Sequence, residues 1–523
     1  MAQRLMTPGV YIEEVNAFPG SVVEVATAIP AFIGYTQKAS RNGKSLVNKP
    51  TRITSFAEYL LLFGGAFSPK FTLKDVGDGE IPMNPITINR KEMAIEYLDK
   101  NQLFLYNSMK FFYSNGGGTC YIVSVGTYEG KDSLEIKMDQ LLGTSQDDNG
   151  KPIEGGLATL LKEQEPTMIV VPDAVALGDK CYDVYKQVLA QCSKMQNRFA
   201  IMDLHDGYKK REDSENVTNF RELIGSEFLS YGAAYYPWMH TSVVSNDEIT
   251  FKNLDSATVN LADLLPEKAA KELIAKFNET PPKEITDDMS DADKEEALKT
   301  NKTNDRNFHL GLMATSPTYA QLLEEIVALM NLLPVSAAMA GVYTMVDNNR
   351  GVWKSPANVS LNSVVKPAVN ITHDQQEDLN VNAVSGKSIN AIRTFPGVGT
   401  LIWGGRTLDG NSLDWRYINV RRTMIMLEQS IKLALRSYVF EPNDANTWIT
   451  VRSMIVNFLT EKWKQGALAG ASPDDAFDVQ VGLGTTMTSI DILEGKMLVT
   501  VKLAIVRPAE FIVVTFEQQM QKS

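Results

Sequence analysis

Between about residues 29 and 345, short apolar runs alternate with helical stretches, and this rhythm constrains the chain more than any other feature. The candidate strands are 29–35, 121–125, 168–171, 199–202 and 233–236, each bounded by turn or polar residues. The candidate helices are 103–113, 182–195 and 321–333. In the second, Tyr182, Tyr185, Val188, Leu189 and Cys192 recur on one face at helical spacing. Parallel strands need a crossover connection, so strands alternating with helices favour a mostly parallel α/β sheet. At 523 residues the chain exceeds what one simple core organises, so further domains are expected.

Two polar segments, 65–100 and 244–310, interrupt the rhythm. The second carries PPKEITDDMSDADKEEALK at 281–299. Both read as outward-facing surface insertions, and 244–310 is expected to contain mobile loops and to tolerate deletion. Residues 326–346 carry no charge, but Asn331, Pro334, Ser336 and Gly341 interrupt them. They read as a buried helix or helix pair and not as a membrane span.

The C-terminal region has a different pattern. A helix over 420–438 carries Glu428, Lys432 and Arg436 at i, i+4 and i+8, and Glu441-Pro442 ends it. Asn443 or Asp444 is placed to cap a second helix running to Gln465. That helix would bury Trp448, Val451, Ile455, Phe458, Leu459 and Trp463. Strands are expected at 477–481, 497–505 and 511–516, the last directed away by Arg507-Pro508. At the other end, residues 10–15 form a short strand between Pro8-Gly9 and Pro19-Gly20, with no adjacent partner.

The fold class is thus α/β, α+β overall, in several domains. An N-terminal arm spans 1–25, an α/β domain with its insertions spans 26–365, and a helix-and-strand domain spans 366–523, ending in a coupling strand. Residues 366–523 hold 16 basic and 16 acidic side chains. The whole formal charge of −12 therefore lies in the first 365 residues, 35 basic against 47 acidic. A neutral segment can pack against copies of itself, whereas an acidic one suits solvent. Net acidity argues against a nucleic-acid partner, which would leave a basic footprint. The three cysteines include no CxxC pair, so neither a disulfide framework nor a zinc site is expected. The first apolar run is broken by Pro8, Glu13 and Glu14, which does not read as a signal peptide.

Catalytic patterns fail one by one. GKS occurs at 43–45 and 386–388, but the glycine a phosphate loop needs five residues earlier is replaced by Lys38 and Val381. Gly397-Val398-Gly399 lacks the third glycine and the strand–helix context of a dinucleotide loop. His205, His240, His309 and His373 fall in no metal motif. Asp203-Leu204-His205-Asp206 ends a strand, where α/β enzymes keep catalytic groups, but no GxSxG elbow accompanies it. The expectation is a chain with no catalytic residues, no cofactor and no metal.

Residues 351–410 carry the most specific signals: GVWKSPAN (351–358), LN (361–362) and INAIRTFPGVGTLIWGGRTL (389–408). Pro356, Pro396-Gly397 and Gly404-Gly405 set bends around an apolar strand at 400–403, and Arg406 follows the double glycine. This order resembles the centre of contractile tail sheath proteins, found in phage tails, R-type pyocins and extracellular contractile injection systems. Its motif core here is Trp353, Pro356, Trp403, Gly404, Gly405 and Arg406. The resemblance extends to WRYINVRRTMIMLEQSI (415–431), VFEPN (439–443), PAEFI (508–512), TPGVYIEEV (7–15) and AIPAFIGYT (28–36).

The resemblance implies a structural subunit that stacks as sixfold rings around an inner tube and contracts without consuming nucleotide. Its implied partners are copies of itself, the inner tube protein, and baseplate and terminal cap proteins, with no membrane insertion. Its implied location is the bacterial cytoplasm during assembly, then a virion tail or a released extracellular particle. Each subunit would lend its terminal strands to neighbours. Val10, Ile12 and Val15, with Phe511, Val513 and Phe516, are the side chains placed in those strands, and Tyr11, Ile512 and Val514 point to the opposite faces. Lys462 and Lys464, at the expected solvated end of the second C-terminal helix, are candidates for docking acidic groups on the tube. The competing classes are an α/β hydrolase or nucleotide-binding enzyme, and a non-contractile shell or baseplate subunit.

Overall fold

In the computed structural model the described residues are 21–77, 85–98, 102–131, 133–144, 146, 150, 153–279, 283–284, 286 and 289–515. They form two compact units, which divide later than the boundary expected at 365/366. One contains 28–350 and 354–418; the other contains 1–27, 351–353 and 419–523. Residues 366–418 belong to the first because they supply two strands of its sheet.

That sheet has eight strands: β1 (Pro30–Thr36), β2 (Thr51–Ile53), β3 (Cys120–Thr127), β4 (Met168–Val170), β5 (Phe199–Asp203), β6 (Gly232–Tyr236), β7 (Asn390–Phe395) and β8 (Gly399–Ile402). Their order is β8-β7-β6-β5-β4-β1-β3-β2. The six central strands run parallel, and β2 and β8 close the two edges antiparallel. The mostly parallel α/β expectation is met. Central strands covered on both faces read as continuous apolar runs, and β1, β4, β5 and β6 are buried throughout.

Two buried carboxylates fasten helices to this sheet. A register shift at Gly34/Tyr35 frees the Tyr35 N–H, which donates to Asp173 Oδ2 at 2.8 Å. The other oxygen of Asp173 accepts from the N–H groups of Phe104 and Leu105, at the start of α1 (Leu105–Ser114). A Cβ on Gly34 would lie 2.4 Å from Asp173 Oδ2, which is why glycine stands there. Asp203 accepts from Val335 and Ser336 N–H at 2.8 and 2.9 Å, where α3 (Ser336–Arg350) begins; α2 (Cys181–Met195) lies between the two in sequence. Burial pushes both carboxyls up to about 6. The uncharged run at 326–346 resolves as expected into a helix pair, the end of Pro317–Met330 and most of α3.

The two insertions are one module. Phe71–Asp75, Lys91–Tyr97 and Pro85–Ile88 form a three-stranded antiparallel sheet. Lys268–Glu279, Asp291–Thr315 and Pro317–Met330 are helices. Phe71, Ile86 and Ile95 share one core with Ile274, Phe308, Leu312 and Tyr319. Phe277 and Phe308 stack at 3.9 Å between centroids, and Asn253 Nδ2 donates to the Pro69 carbonyl. This corrects the reading of 244–310 as loops that could be removed alone: removal would strip the cover from Phe71 and Ile86.

In the smaller unit, α4 (Ile418–Leu435) enters from the other unit's last residue and continues into a 3-10 turn, Arg436–Tyr438. Asp444 caps α5 (Ala445–Lys464) by accepting from Thr447 N–H. Met426, Leu427, Val451, Ile455, Phe458 and Leu459 form the core. Two antiparallel strands follow, β9 (Phe477–Gln480) and β10 (Thr500–Leu503), the second shorter than the 497–505 expected.

Candidate assembly surfaces

The motif core lies at one edge of the large sheet. β7 and β8 form its terminal hairpin, and Asn390 at the start of β7 holds the chain that follows. Its Oδ1 accepts from Arg406 N–H and its Nδ2 donates to the Arg406 carbonyl, both at 2.8 Å. A Cβ on Gly404 would lie 2.7 Å from Asn390 Oδ1, and one on Gly405 2.3 Å from Ser355 Oγ. The double glycine is therefore required by close approach. Arg406 is buried; its Nη1 donates to the Gly410 carbonyl, and its guanidinium lies over the Tyr417 ring. Pro356 is buried. Trp403 is exposed, its ring 4.6 Å from that of Phe395. Trp353 belongs to the smaller unit, where its carbonyl accepts from Asn419 Nδ2. Trp403 to Arg406 thus follow the terminal hairpin at the edge of the large sheet, while Trp353 belongs to the other unit.

Both ends of the described chain root on the smaller unit. Val22 and Val25 pack on its core, Val25 N–H donates to Ser430 Oγ, and Arg422 Nη2 donates to the Thr27 carbonyl. Asn419 Nδ2 also donates to the Val506 carbonyl, at the root of the tail. Val10, Tyr11, Ile12 and Val15 lie outside the described residues, as does Phe516. Residues 511–515 form no strand in the isolated chain, contrary to expectation, and Phe511, Ile512, Val513 and Val514 are 65–88% exposed. Four consecutive large apolar side chains are thus left in water, an arrangement that marks interaction surfaces in general. β9 and β10 form a two-stranded sheet with no third strand among the described residues.

The paired reading of Lys462 and Lys464 is corrected. Lys464 is exposed. Lys462 is 3% exposed: its Nζ donates to Glu24 Oε2 and to Gln465 Oε1, and it lies 5.9 and 5.8 Å from the Trp353 and Phe458 ring centroids. The helix turns this position toward the core alongside Leu459 and Phe458. A lysine there cannot reach a tube protein. Sequence reasoning missed this because the partner, Glu24, is 438 residues away.

The residues examined for chemistry have structural partners. Asp203 caps α3. His205 Nδ1 faces the Val175 carbonyl at 3.0 Å, and His309 Nδ1 faces Tyr319 Oη. Among the described residues no group of three His, Cys, Asp or Glu could hold a metal, and no helix is long and apolar enough to cross a membrane.

Residues 411–519 match the family model of the phage tail sheath C-terminal domain. The tail sheath protein of Burkholderia phage BcepMu is 28% identical over 142 residues, covering 26% of this chain and 29% of that protein. The tail sheath protein of Enterobacteria phage T4 is 28% identical over 130 residues, covering 24% of this chain and 19% of that protein. The matched stretch thus spans less than a third of these relatives' length. Solved structures match end to end. The PVC sheath complex of an extracellular contractile injection system, in its contracted state, is 28% identical over 99% of each chain, with a TM-score of 0.57. The contracted helical sheath of the anti-feeding prophage is 28% identical, covering 98% of this chain and 100% of that one, with a TM-score of 0.58.

Proposed function

We propose that this chain, a member of the contractile tail sheath family, polymerises with copies of itself into a sheath around an inner tube and contracts to drive that tube through a target envelope. The observation that carries this is the end-to-end likeness to two contracted sheath subunits. The exposed 511–514 run supports strand exchange: an extended segment that satisfies its backbone on a neighbour's sheet edge supplies hydrogen bonds that survive while subunits reorient. Under this reading Val10, Tyr11, Ile12 and Val15 occupy the corresponding N-terminal strand. The subunit works in sixfold rings, with baseplate and cap proteins at the two ends of the polymer. It is built in the bacterial cytoplasm and acts in a tail or a released particle. It is not an enzyme, and contraction draws on the free-energy difference between two packings.

Electron microscopy of the chain co-expressed with its tube protein tests this. The expected product is a striated, hollow polymer that shortens on mild denaturant or acid treatment. A monodisperse monomer under all conditions, or a tube of fixed length, overturns the proposal.

A further inference from the structure

The overturned reading of Lys462 leaves a question: why a lysine is buried at the last turn of α5. Its ammonium lies 5.9 and 5.8 Å from the Trp353 and Phe458 ring centroids and donates to Gln465 Oε1 and to one carboxylate, that of Glu24. The Glu24 side chain is 39% exposed, so the cation is buried and its anion faces solvent on one side. Burying a charge is costly, and a buried ion pair is weak evidence for added stability, since an apolar pair of similar volume often does as well or better. What such a pair supplies is discrimination among alternative packings.

The strap at 21–27 has alternatives to discriminate. It is held by Val25 N–H on Ser430 Oγ and by the Thr27 carbonyl on Arg422. Those contacts use backbone atoms that any residue offers. Val22 and Val25 are equivalent apolar plugs, and Val23 beside them is 76% exposed and as apolar. A slipped strap could reform all of this. It could not give Lys462 a carboxylate and would leave it only Gln465, because Glu24 is the sole acidic residue between Val15 and Thr27. A slip of two residues would set Val22 or Ala26 against a buried ammonium. A slip also moves everything upstream by about 3.3 Å per residue, and a slip of one reverses which side chains face a partner strand.

We propose that Glu24 and Lys462 form a register latch: the pair fixes the root of the N-terminal arm, so that residues 1–20 leave the subunit with one reach and one face toward the neighbouring copy. This rests on the reading that the arm is exchanged between subunits. Lys462 is a positioning residue for assembly and touches no other subunit itself.

The test replaces the pair with a charge-free one, Glu24→Leu with Lys462→Met, in the full chain. The expected result is a folded subunit with an unchanged melting temperature, hydrogen exchange at residues 21–27 faster by roughly tenfold, and a loss of polymer of similar size by sedimentation. Glu24→Gln alone is the second variant, should the double one fail to fold: it removes only the anion, with the same expected exchange and polymer readouts but a lowered melting temperature, since the ammonium stays buried without its carboxylate. A chain lacking residues 1–20 is run in parallel. If that truncation polymerises normally, the arm-exchange reading is wrong. If it fails to polymerise while both pair variants assemble and protect 21–27 like the parent, the latch is wrong.

Discussion

The two units of this chain treat their backbone hydrogen bonds differently. In the larger, a sheet of six parallel strands is closed at both edges by the antiparallel strands β2 and β8, so no long strand edge is left open. In the smaller, β9 and β10 stand as a pair, and the tail beyond them exposes Phe511, Ile512, Val513 and Val514. That pair is supported by α5, with Val479 buried in the core of the smaller unit, rather than by further strands. The first unit completes itself; on the proposed reading the second is completed by other copies. The contrast separates stability from assembly, and single lesions should affect one without the other.

The largest effect expected is a total one. Val513→Asp, on an 88% exposed side chain, should leave the monomer's melting temperature within experimental error and abolish polymerisation in a sedimentation assay. Normal polymers from this variant would mean that the tail is not a coupling strand. The next should appear as stability alone. Phe308→Ala opens a cavity in the core shared by the two insertions and should lower unfolding free energy by about 3–5 kcal/mol. Denaturant unfolding checks it; a change under about 1 kcal/mol would mean that the insertions do not fold as one module.

A third prediction concerns the carboxylates that fasten helices to the sheet. Asp173 and Asp203 are raised to about 6 by burial, above the usual ~3.9. Each therefore contributes stability that is fully present below about pH 4 and lost as pH rises through about 6. Asp203→Asn keeps the acceptor for Val335 and Ser336 but cannot ionise. Relative to the parent it should gain up to about 3 kcal/mol between pH 4 and pH 7. Parallel pH profiles for parent and variant would show that Asp203 does not titrate in this window.

How much of this was legible in sequence follows from the range of each interaction. Strands such as 168–171 and 199–202 were readable because a parallel strand buried on both faces is a short apolar run wherever it sits. Asp444 as a cap was readable because the N–H it accepts from is three residues away. The insertions were misread because their shared core joins Phe71 to Phe308 across the sheet, while their outer faces give each segment a polar composition. The tail illustrates a different limit. Its apolar run at 511–516 suggested a strand, but a strand needs a neighbour, and among the described residues 511–515 has none. The bends around the double glycine were partly visible: Gly404-Gly405 announced a close approach but could not name Asn390 and Ser355 as the groups approached.

The smallest effect separates the two lysines that sequence had grouped together. Lys464 remains exposed at the last turn of α5, where a cation adds about 0.3–1 kcal/mol through the helix dipole. On the proposed reading the subunit holds a tube before contraction and releases it afterwards. Exposed ion pairs, at about 0–1 kcal/mol each, suit that better than an apolar seal. Lys464→Glu should therefore cost under about 1 kcal/mol in unfolding and leave polymerisation of the subunit alone intact. It should reduce co-assembly with the tube protein, most visibly at low salt, because screening at high salt weakens the contact of the parent lysine as well. Lys462→Glu should instead place a buried carboxylate against that of the half-exposed Glu24 and destabilise the monomer itself. Should Lys464→Glu co-assemble at every salt concentration like the parent, the tube contact lies elsewhere on the subunit, and Lys464 serves only to cap its helix.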